Sequence, residues 1–212
     1  MIEDEFAARR WLGSLSEWGE TARERLETLL VLLGEENARQ NLVSAASLGD
    51  AWVRHVIDSA QLLRFVPRGT PNWLDLGTGA GFPGLVVAIL RPDCPVTMVE
   101  SRARRIEWLN RIVERLALPA ARVEGRRLEL VETAKYGVIS ARAFAPLDKL
   151  ITLSARFSTS DTIWVLPKGR SAAQELAELT GWKHAFHVEQ SLSDAQAGII
   201  VGTLTGRKGM NP

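Results

Sequence analysis

The stretch Trp73-Leu74-Asp75-Leu76-Gly77-Thr78-Gly79-Ala80-Gly81-Phe82-Pro83-Gly84 decides how this chain folds. A short apolar run ends in a glycine-rich turn, and a second apolar run at 85–90 has the length of a short helix. A strand, a tight turn and a helix in this order present backbone N–H groups and a helix N-terminus to a ligand. Glycine is needed where a chain turns sharply or where backbone approaches a ligand closely. The stretch therefore predicts a site for a nucleotide-like cofactor.

Two glycine patterns overlap in this stretch. Residues 79–84 read G-x-G-x-x-G, which is typical of dinucleotide sites, and residues 75–81 read D-x-G-x-G-x-G, which is typical of S-adenosylmethionine (SAM) sites. The charge of Asp75 would repel a pyrophosphate and attract an amino-acid ammonium group, so SAM is favoured. Glu100, which ends the next predicted strand, suits the hydroxyl groups of a ribose. The residues predicted on this basis to bind SAM are Asp75, Gly77, Gly79, Gly81 and Glu100.

The composition is ordinary for a globular protein, with 46% hydrophobic and 24% charged residues among 212. No apolar run approaches the roughly 20 residues that span a membrane. The acidic start, Met1-Ile2-Glu3-Asp4-Glu5, argues against a signal or transit peptide. The single cysteine, Cys94, excludes an internal disulfide framework and a cysteine-rich zinc site, and no metal is expected. We expect a monomeric, cytoplasmic enzyme that does not contact membranes.

The net charge is only +1, but the charges are unevenly distributed along the chain. Residues 1–36 are rich in acidic side chains, whereas residues 101–127 contain eight arginines against three glutamates. Such asymmetry is typical of a face that meets phosphate groups. A solvated helix face rich in arginine would give the same pattern, and charge alone does not distinguish the two.

The chain divides at Pro67-Arg68-Gly69-Thr70-Pro71, a clear break in periodicity. Before it, apolar residues recur every three or four positions, which predicts helices with a stop at Gly34 and a new start near Ser47. After it, strands and helices alternate, which implies a mostly parallel sheet covered on both faces. The predicted strands are 72–76, 96–100, 121–124, 138–141, 162–166, 184–189 and 198–205, and the predicted helices are 83–90, 102–116, 146–157 and 172–179.

The last two predicted strands are close together, so we expect them to form an antiparallel hairpin at the sheet edge, which is typical of methyltransferase sheets. The expected fold is therefore α/β: a Rossmann-like SAM-dependent methyltransferase fold with a seven-stranded, mostly parallel sheet. We assign residues 1–70 to an N-terminal helical extension, 71–206 to the methyltransferase domain and 207–212 to a frayed tail.

Several short segments of the chain together resemble one family. They are Asn41-Leu42-Val43-Ser44, Arg54-His55-Val56-Ile57-Asp58-Ser59, the glycine stretch with its G-F-P-G ending, Arg91-Pro92, Val99-Glu100-Ser101, Arg104-Arg105, Trp108-Leu109, the run 140–147 (SARAFAPL) and Pro167-Lys168-Gly169. In this order they resemble the RsmG family, also called GidB, whose members are 16S ribosomal RNA guanine-N7 methyltransferases. The resemblance implies methyl transfer from SAM to one guanosine of 16S rRNA, in the 30S subunit or its assembly intermediate.

The resemblance also implies roles for individual residues. Gly77 and Phe82 would line the SAM site, and Glu100 would hold the ribose hydroxyls. Arg127 and Leu128 fall where the family contacts the adenine end of the cofactor. Because the family often has a small residue and a glutamate at these two positions, contacts from their backbone are expected rather than from their side chains. Arg142 matches an arginine that the family places at the mouth of the SAM site.

Guanine N7 carries a lone pair and no proton at neutral pH, so its methylation needs no general base and depends on alignment and electrostatics. His55 and Asp58 lie three positions apart on one helix face, where they are expected to grip RNA or shape the pocket. Arg142 ends a strand at the ligand-binding edge. Lys168 follows an apolar strand and is expected to contact a phosphate or guanine O6. The residues predicted to act in catalysis are therefore His55, Asp58, Arg142 and Lys168.

Three other functions stay open at this point. A SAM-dependent methyltransferase of a small molecule would share the glycine turn and Glu100 but would need no arginine-rich face. A non-catalytic SAM-binding factor for ribosome assembly would not need the intact set Asp75, Glu100 and Arg142. A dinucleotide-dependent oxidoreductase would be retained on an NAD resin rather than on a SAM resin.

Overall fold

A computed structural model describes residues 1–209 of the chain. These residues contain eight strands: Trp73–Leu76 (β1), Val96–Val99 (β2), Ala121–Glu124 (β3), Val138–Ala141 (β4), Ile163–Gly169 (β5), Trp182–His184 (β6), His187–Gln190 (β7) and Gly198–Arg207 (β8). They form one sheet in the order β3-β2-β1-β4-β5-β8-β6, and β7 also pairs with β8. Strands β1 to β5 are parallel, and β8 is antiparallel to β5, β6 and β7. The α/β fold with a parallel sheet and an antiparallel edge hairpin is therefore confirmed.

The sheet departs from the prediction at its antiparallel edge. The single strand predicted at 184–189 is divided into β6 and β7, because Phe186 turns into the core and its ring packs edge-on against Trp164. A Cβ atom at the facing Gly202 would overlap the backbone of Ala185, so a glycine is required opposite this bend. Strand β8 includes Arg207, the first residue of the predicted tail, and residues 210–212 of that tail lie outside the described residues.

The helices alternate with the strands as predicted and are preceded by a helical N-terminal segment. The α-helices are Glu5–Leu12 (α1), Glu20–Asn37 (α2), Ala45–Gly49 (α3), Asp58–Ala60 (α4), Gly84–Leu90 (α5), Ala103–Arg115 (α6), Leu147–Ser154 (α7) and Ala172–Glu178 (α8). A π-helical turn, Trp52–Ile57, precedes α4, and 3-10 turns occupy Gln61–Phe65, Leu128–Leu130 and Ala155–Phe157.

Two helix boundaries in the N-terminal segment differ from the prediction. Helix α2 does not stop at Gly34 but continues to Asn37, because Glu36 in its last turn is buried against Arg111 of α6 at 2.5 Å. The next helix starts at Ala45 rather than near Ser47, since the side chain of Ser44 accepts a hydrogen bond from the backbone N–H of Ser47 and caps it.

Apolar side chains cover both faces of the sheet. One cluster joins α1, α2 and the 52–66 region to α5 and α6, and the other joins α7 and α8 to the opposite face. The N-terminal helices therefore share their core with the sheet, and their removal would expose it. Within residues 1–209, no helix combines the length and the hydropathy needed to cross a lipid bilayer.

Candidate functional site

The glycine turn lies at the carboxyl end of β1. Gly77, Gly79 and Gly81 have φ angles of +63°, +61° and +107°, a region that side chains with a Cβ atom rarely adopt. The backbone N–H of Thr78 donates to the carbonyl of Val99 in β2, and the indole of Trp108 donates to the carbonyl of Ala80 at 3.0 Å. These hydrogen bonds to β2 and to α6 therefore fix the conformation of the turn at the carboxyl edge of the sheet.

Glu100 follows β2 and closes one side of this turn. Its Oε2 accepts a hydrogen bond from the backbone N–H of Gly79 at 3.1 Å, and its Oε1 accepts from the backbone N–H groups of Ser101 and Arg102. The guanidinium of Arg105 lies 3.8 Å from Oε2. The carboxylate is thus held in one orientation beside the turn, in the position where an acid would meet the hydroxyl groups of a ribose.

Asp75, which is predicted to bind SAM, is hydrogen-bonded inside the fold. Its side chain is fully buried, Oδ1 accepts from the hydroxyl of Ser140 at 2.7 Å, and Oδ2 accepts from the backbone N–H of Gly84 at 3.0 Å. The indole N–H of Trp73 donates a hydrogen bond to the same serine hydroxyl. Burial raises the pKa of Asp75 to about 6. Through these bonds Asp75 tethers β1 to β4 and to α5, and its contact with a ligand's ammonium group stays a prediction.

Three of the four residues predicted to be catalytic, His55, Asp58 and Arg142, lie in one cluster. Nη1 of Arg142 donates to the backbone carbonyl of Arg54 at 3.1 Å and lies 3.3 Å from Oδ2 of Asp58. Nη1 and Nη2 both lie 3.4 Å from Nδ1 of His55. These partners come from the N-terminal segment, whereas Arg142 follows β4. The sequence paired His55 with Asp58 and treated Arg142 separately, and the structure places the guanidinium of Arg142 against both side chains.

His55 is buried and neutral. Its ring stacks on Phe82 with centroids 4.8 Å apart and planes 19° apart. Burial, with the positive charges of Arg142 and Arg54, lowers the pKa of His55 to about 3. Phe82 also contacts the guanidinium of Arg142, which lies 5.3 Å from the centre of its ring. Phe82, which is predicted to line the SAM site, is almost fully buried. It connects the glycine turn to His55 and Arg142 through these two contacts.

The sequence prediction missed the residues that hold Asp58. Its Oδ1 accepts from the hydroxyl of Ser193 at 2.9 Å and from the amide of Gln61 at 3.2 Å. The amide oxygen of Gln61 in turn accepts from the backbone N–H of Leu192 at 2.7 Å. Ser193 lies in the connection between β7 and β8, 135 residues after Asp58. Only the polar character of this connection hinted at a role, since no local pattern links it to the N-terminal helices.

Lys168 is close to the cluster but is already paired. Its Nζ lies 2.9 Å from Oε2 of Glu175 and donates to the backbone carbonyl of Ala145 at 2.5 Å. Glu175 also accepts from the backbone N–H of Leu147 and from the hydroxyl of Ser171. Burial acts to raise the pKa of Glu175, but the hydrogen bonds from Ser171 and Lys168 outweigh it and lower that pKa. Lys168 therefore anchors the segment between β4 and α7, and a direct contact with guanine O6 would require it to leave this pair.

Arg127 and Leu128 follow β3 on the other side of the glycine turn. The side chain of Arg127 is exposed and pairs with Glu129 at 3.4 Å, while Leu128 is buried. The carbonyl of Leu128 accepts from the guanidinium of Arg156 at 2.6 Å, which fixes the backbone here. The expectation that backbone rather than side chains faces a ligand at this point stays a prediction.

Many of the arginines in the stretch 101–127 are already bonded to other residues of the protein. Arg105, Arg111, Arg126 and Arg127 pair with Glu100, Glu36, Glu124 and Glu129, and Arg122 bonds to Thr97 and Tyr136 inside the sheet edge. Arg102 and Arg104, at the start of α6, are exposed, and neither forms an ion pair within the described residues. The ion pairs therefore leave fewer of these arginines available to phosphate groups than the sequence count of eight.

A cavity of about 730 Å³ lies beside the cluster of His55, Asp58 and Arg142. Its wall includes Asp58, Arg142, Phe144, Lys168, Ser193 and Asp194. The cavity is large enough for a nucleotide base and offers cationic, anionic and aromatic side chains. It lies next to the glycine turn, because the lining residues Arg142 and Phe144 contact Phe82 and Gly77 of that turn. Such an arrangement suits two ligands that meet at the carboxyl ends of β1 and β4.

Comparison with known proteins finds close relatives. Residues 22–195 match the family model described as GidB, rRNA small subunit methyltransferase G. A ribosomal RNA small subunit methyltransferase G from Erythrobacter litoralis is 61% identical over 180 residues, which cover 84% of this chain and 87% of the relative. The protein of the same description from Novosphingobium aromaticivorans is 53% identical over 207 residues, covering 96% and 90%. A solved SAM-dependent methyltransferase from Aquifex aeolicus shares the fold, with a TM-score of 0.57 and 13% identity over 78% of this chain and 95% of its own.

Proposed function

Because this chain belongs to the GidB family of small-subunit rRNA methyltransferases, we propose that it transfers the methyl group of SAM to N7 of one guanosine in 16S rRNA. SAM-dependent methyl transfer to small-subunit rRNA follows from the family. The proposal goes beyond the family in three respects. It specifies the N7 atom, a single guanosine, and whether the substrate is the 30S subunit or an assembly intermediate.

One observation carries the proposal: Arg142 lies between the glycine turn and the cavity and contacts Phe82 of the turn and Asp58 of the cavity wall. The cofactor would bind across the turn, where Glu100 faces its ribose. The target base would enter the cavity from the other side. A residue that touches both regions is placed to align the two reactants.

The chemistry needs little from the protein beyond this alignment. SAM supplies a methyl group bonded to a positively charged sulfur; as the carbon–sulfur bond breaks, a bond forms between that carbon and N7, and the positive charge moves to the guanine. No proton is transferred, which agrees with the neutral His55 and with the hydrogen bonds that occupy Asp58. The carboxylate of Asp58 and the face of Phe144 border the cavity in which the cationic product forms.

The residues around the glycine turn fit SAM rather than a dinucleotide. A pyrophosphate would lie against the glycine turn, where the carboxylate of Glu100 accepts from the backbone N–H of Gly79. We further propose that the enzyme acts as a monomer on the 30S subunit or an assembly intermediate, and that it works in the cytoplasm, where ribosomes are assembled.

A methyl-transfer assay tests the function. Purified protein, labelled SAM and 30S subunits from cells that lack this methyltransferase would be incubated together, and the RNA analysed by nucleoside mass spectrometry. We expect 7-methylguanosine at a single position. Label at another base atom would overturn the choice of N7, and SAM binding without labelled RNA would favour a small-molecule enzyme or a non-catalytic factor.

A further inference from the structure

The glycine turn and Phe144 meet at the point where the order of the parallel strands reverses. Strand β1 has β2 on one side and β4 on the other, and Leu76 pairs with Ala141 at the carboxyl ends of β1 and β4. The loops that follow these two residues diverge there and form the crevice in which open α/β sheets bind their ligands. Gly77 begins one of these loops, and Phe144 lies in the other.

Phe144 covers Gly77 in this crevice. A Cβ atom placed on Gly77 would overlap the ring of Phe144, with the ring atoms Cγ and Cε2 only 3.2 Å away. The ring therefore lies directly on the first glycine of the turn. Phe144 is half-buried, and it also borders the cavity on its other side.

The segment that carries Phe144 is fixed at both ends and strained in the middle. Arg142 is held by His55 and Asp58, and the carbonyl of Ala145 is held by Lys168. Between them, Ala143 is exposed and has a φ of +52°, in the left-handed region that disfavours a residue with a Cβ atom. A change in the backbone dihedral angles of Ala143 and Phe144 alone would release this strain and turn the ring of Phe144. The contacts of Arg142 and Ala145 at the two ends would stay in place.

We propose that Phe144 is a positioning residue shared by the two ligands. Its ring occupies the crevice over Gly77, SAM displaces it into the cavity, and there it stacks on the target guanine. This inference rests on the proposed function and adds to it a residue and an order of binding. Stacking suits a purine that becomes cationic on methylation, because a cation is attracted to the face of an aromatic ring.

The proposal implies that the two ligands help each other to bind. SAM has to displace a ring that favours the crevice, so its apparent affinity is reduced by the fraction of molecules in which the crevice is covered. Once the ring is turned out, the base finds its stacking partner in place. By linkage, the target RNA strengthens SAM binding by the same factor by which SAM strengthens RNA binding.

Calorimetric titration of SAM into the purified full-length chain tests the first half of the proposal. We expect Phe144→Ala to bind SAM roughly threefold to tenfold more tightly than the wild type, because nothing has to leave the crevice. Phe144→Leu retains apolar bulk over Gly77 and is expected to bind SAM like the wild type. Phe6→Ala, which removes an exposed phenylalanine from α1, is the matched control.

Methylation of 30S subunits at saturating SAM tests the second half. We expect both Phe144→Ala and Phe144→Leu to raise KM for the subunit by about tenfold, since neither side chain stacks on a base. Weaker or unchanged SAM binding by Phe144→Ala would overturn the displacement, and a wild-type KM in both variants would overturn the stacking. Failure of the wild-type chain itself to bind SAM would instead overturn the proposed function and this inference with it.

Discussion

Both terminal nitrogens of Arg142 lie 3.4 Å from Nδ1 of His55, so the imidazole acts as an acceptor for a cation. The proton of the neutral ring then resides on Nε2, a buried atom with no hydrogen-bond partner within the described residues. Since the burial of the ring and the positive charge of Arg142 both oppose protonation, we expect His55 to orient Arg142 rather than to shuttle protons.

The first prediction concerns this acceptor role. We expect His55→Gln, whose amide oxygen can accept from Arg142, to retain most of the methyl-transfer rate, and His55→Leu to lose roughly tenfold to a hundredfold. Single-turnover methylation of 30S subunits between pH 6 and 8 would measure both. A wild-type rate that titrates in this range and becomes independent of pH in His55→Gln would show that His55 exchanges a proton.

The second prediction follows from the same pKa. The pKa of His55 is about 3 in the folded chain against 6.5 for a free side chain, so between these values the unfolded state binds the extra proton. The contribution of His55 to stability is therefore complete above pH 6.5 and is lost as the pH falls toward 3. We expect the urea unfolding free energy to depend less steeply on pH below 6.5 in His55→Gln than in the wild type.

Asp75 provides the control of opposite sign for that measurement. Its pKa is raised to about 6 from 3.8, so the folded state holds the extra proton between these values. Its contribution is complete below pH 3.8 and is lost as the pH rises through 6. Asp75→Asn should therefore make the acid limb steeper, and equal slopes in the wild type and both variants would contradict the assignment.

The third prediction concerns the geometry of Arg142. Its planar fork reaches the carbonyl of Arg54, the carboxylate of Asp58 and the ring of His55 together, which a single ammonium group does not reproduce. We expect Arg142→Lys to lower the methyl-transfer rate roughly a hundredfold, and Arg142→Ala somewhat more. Activity of Arg142→Lys within a few-fold of wild type would show that only the charge matters.

The fourth prediction tests whether Lys168 has a structural or a catalytic role. We expect Lys168→Met to destabilise the fold by about 2–4 kcal/mol, because it leaves the part-buried carboxylate of Glu175 without its cation. The double variant Lys168→Met, Glu175→Gln should recover part of that loss in a double-mutant cycle of unfolding free energies. If Lys168→Met kept its stability yet lost methyl transfer, Lys168 would act on the substrate directly, as the sequence predicts.

The fifth prediction concerns the connection between β7 and β8. Ser193→Ala removes a hydrogen bond to Asp58 and leaves the one from Gln61. We expect a fall in methyl transfer of roughly threefold to tenfold with unchanged SAM affinity, because Arg142 is less well placed while the glycine turn is untouched. Ser171→Ala, which removes a cavity-lining hydroxyl that is bonded to Glu175 and not to Asp58, serves as a comparison in the same assay. An equal loss of SAM affinity in Ser193→Ala would show that the connection supports the cofactor site instead.

Much of the fold was predictable because its signals are local. The glycine turn, the alternation of strands with helices and the edge hairpin follow from periodicity and from where glycine is required. The boundary at Gly34 was wrong because a distant contact decided it: the ion pair of Glu36 with Arg111 extends α2. The start near Ser47 was wrong for a local reason, since Ser44 caps the helix through the N–H of Ser47. The division of the strand at Ala185 and Phe186 depends on packing against Trp164.

The sequence alone was enough to predict the candidate site residues: the glycine turn, Glu100 and the set His55, Asp58 and Arg142. Only the tertiary structure decided which partners those side chains have. Asp75 and Lys168 look like ligand contacts in the sequence, but the fold satisfies both with internal partners, since a buried charge must be bonded to be tolerated. Ser193 reaches Asp58 across 135 residues, a contact that no local pattern encodes. Residue type is local information, whereas the hydrogen-bond partner of a buried polar group depends on which distant segments the core brings together.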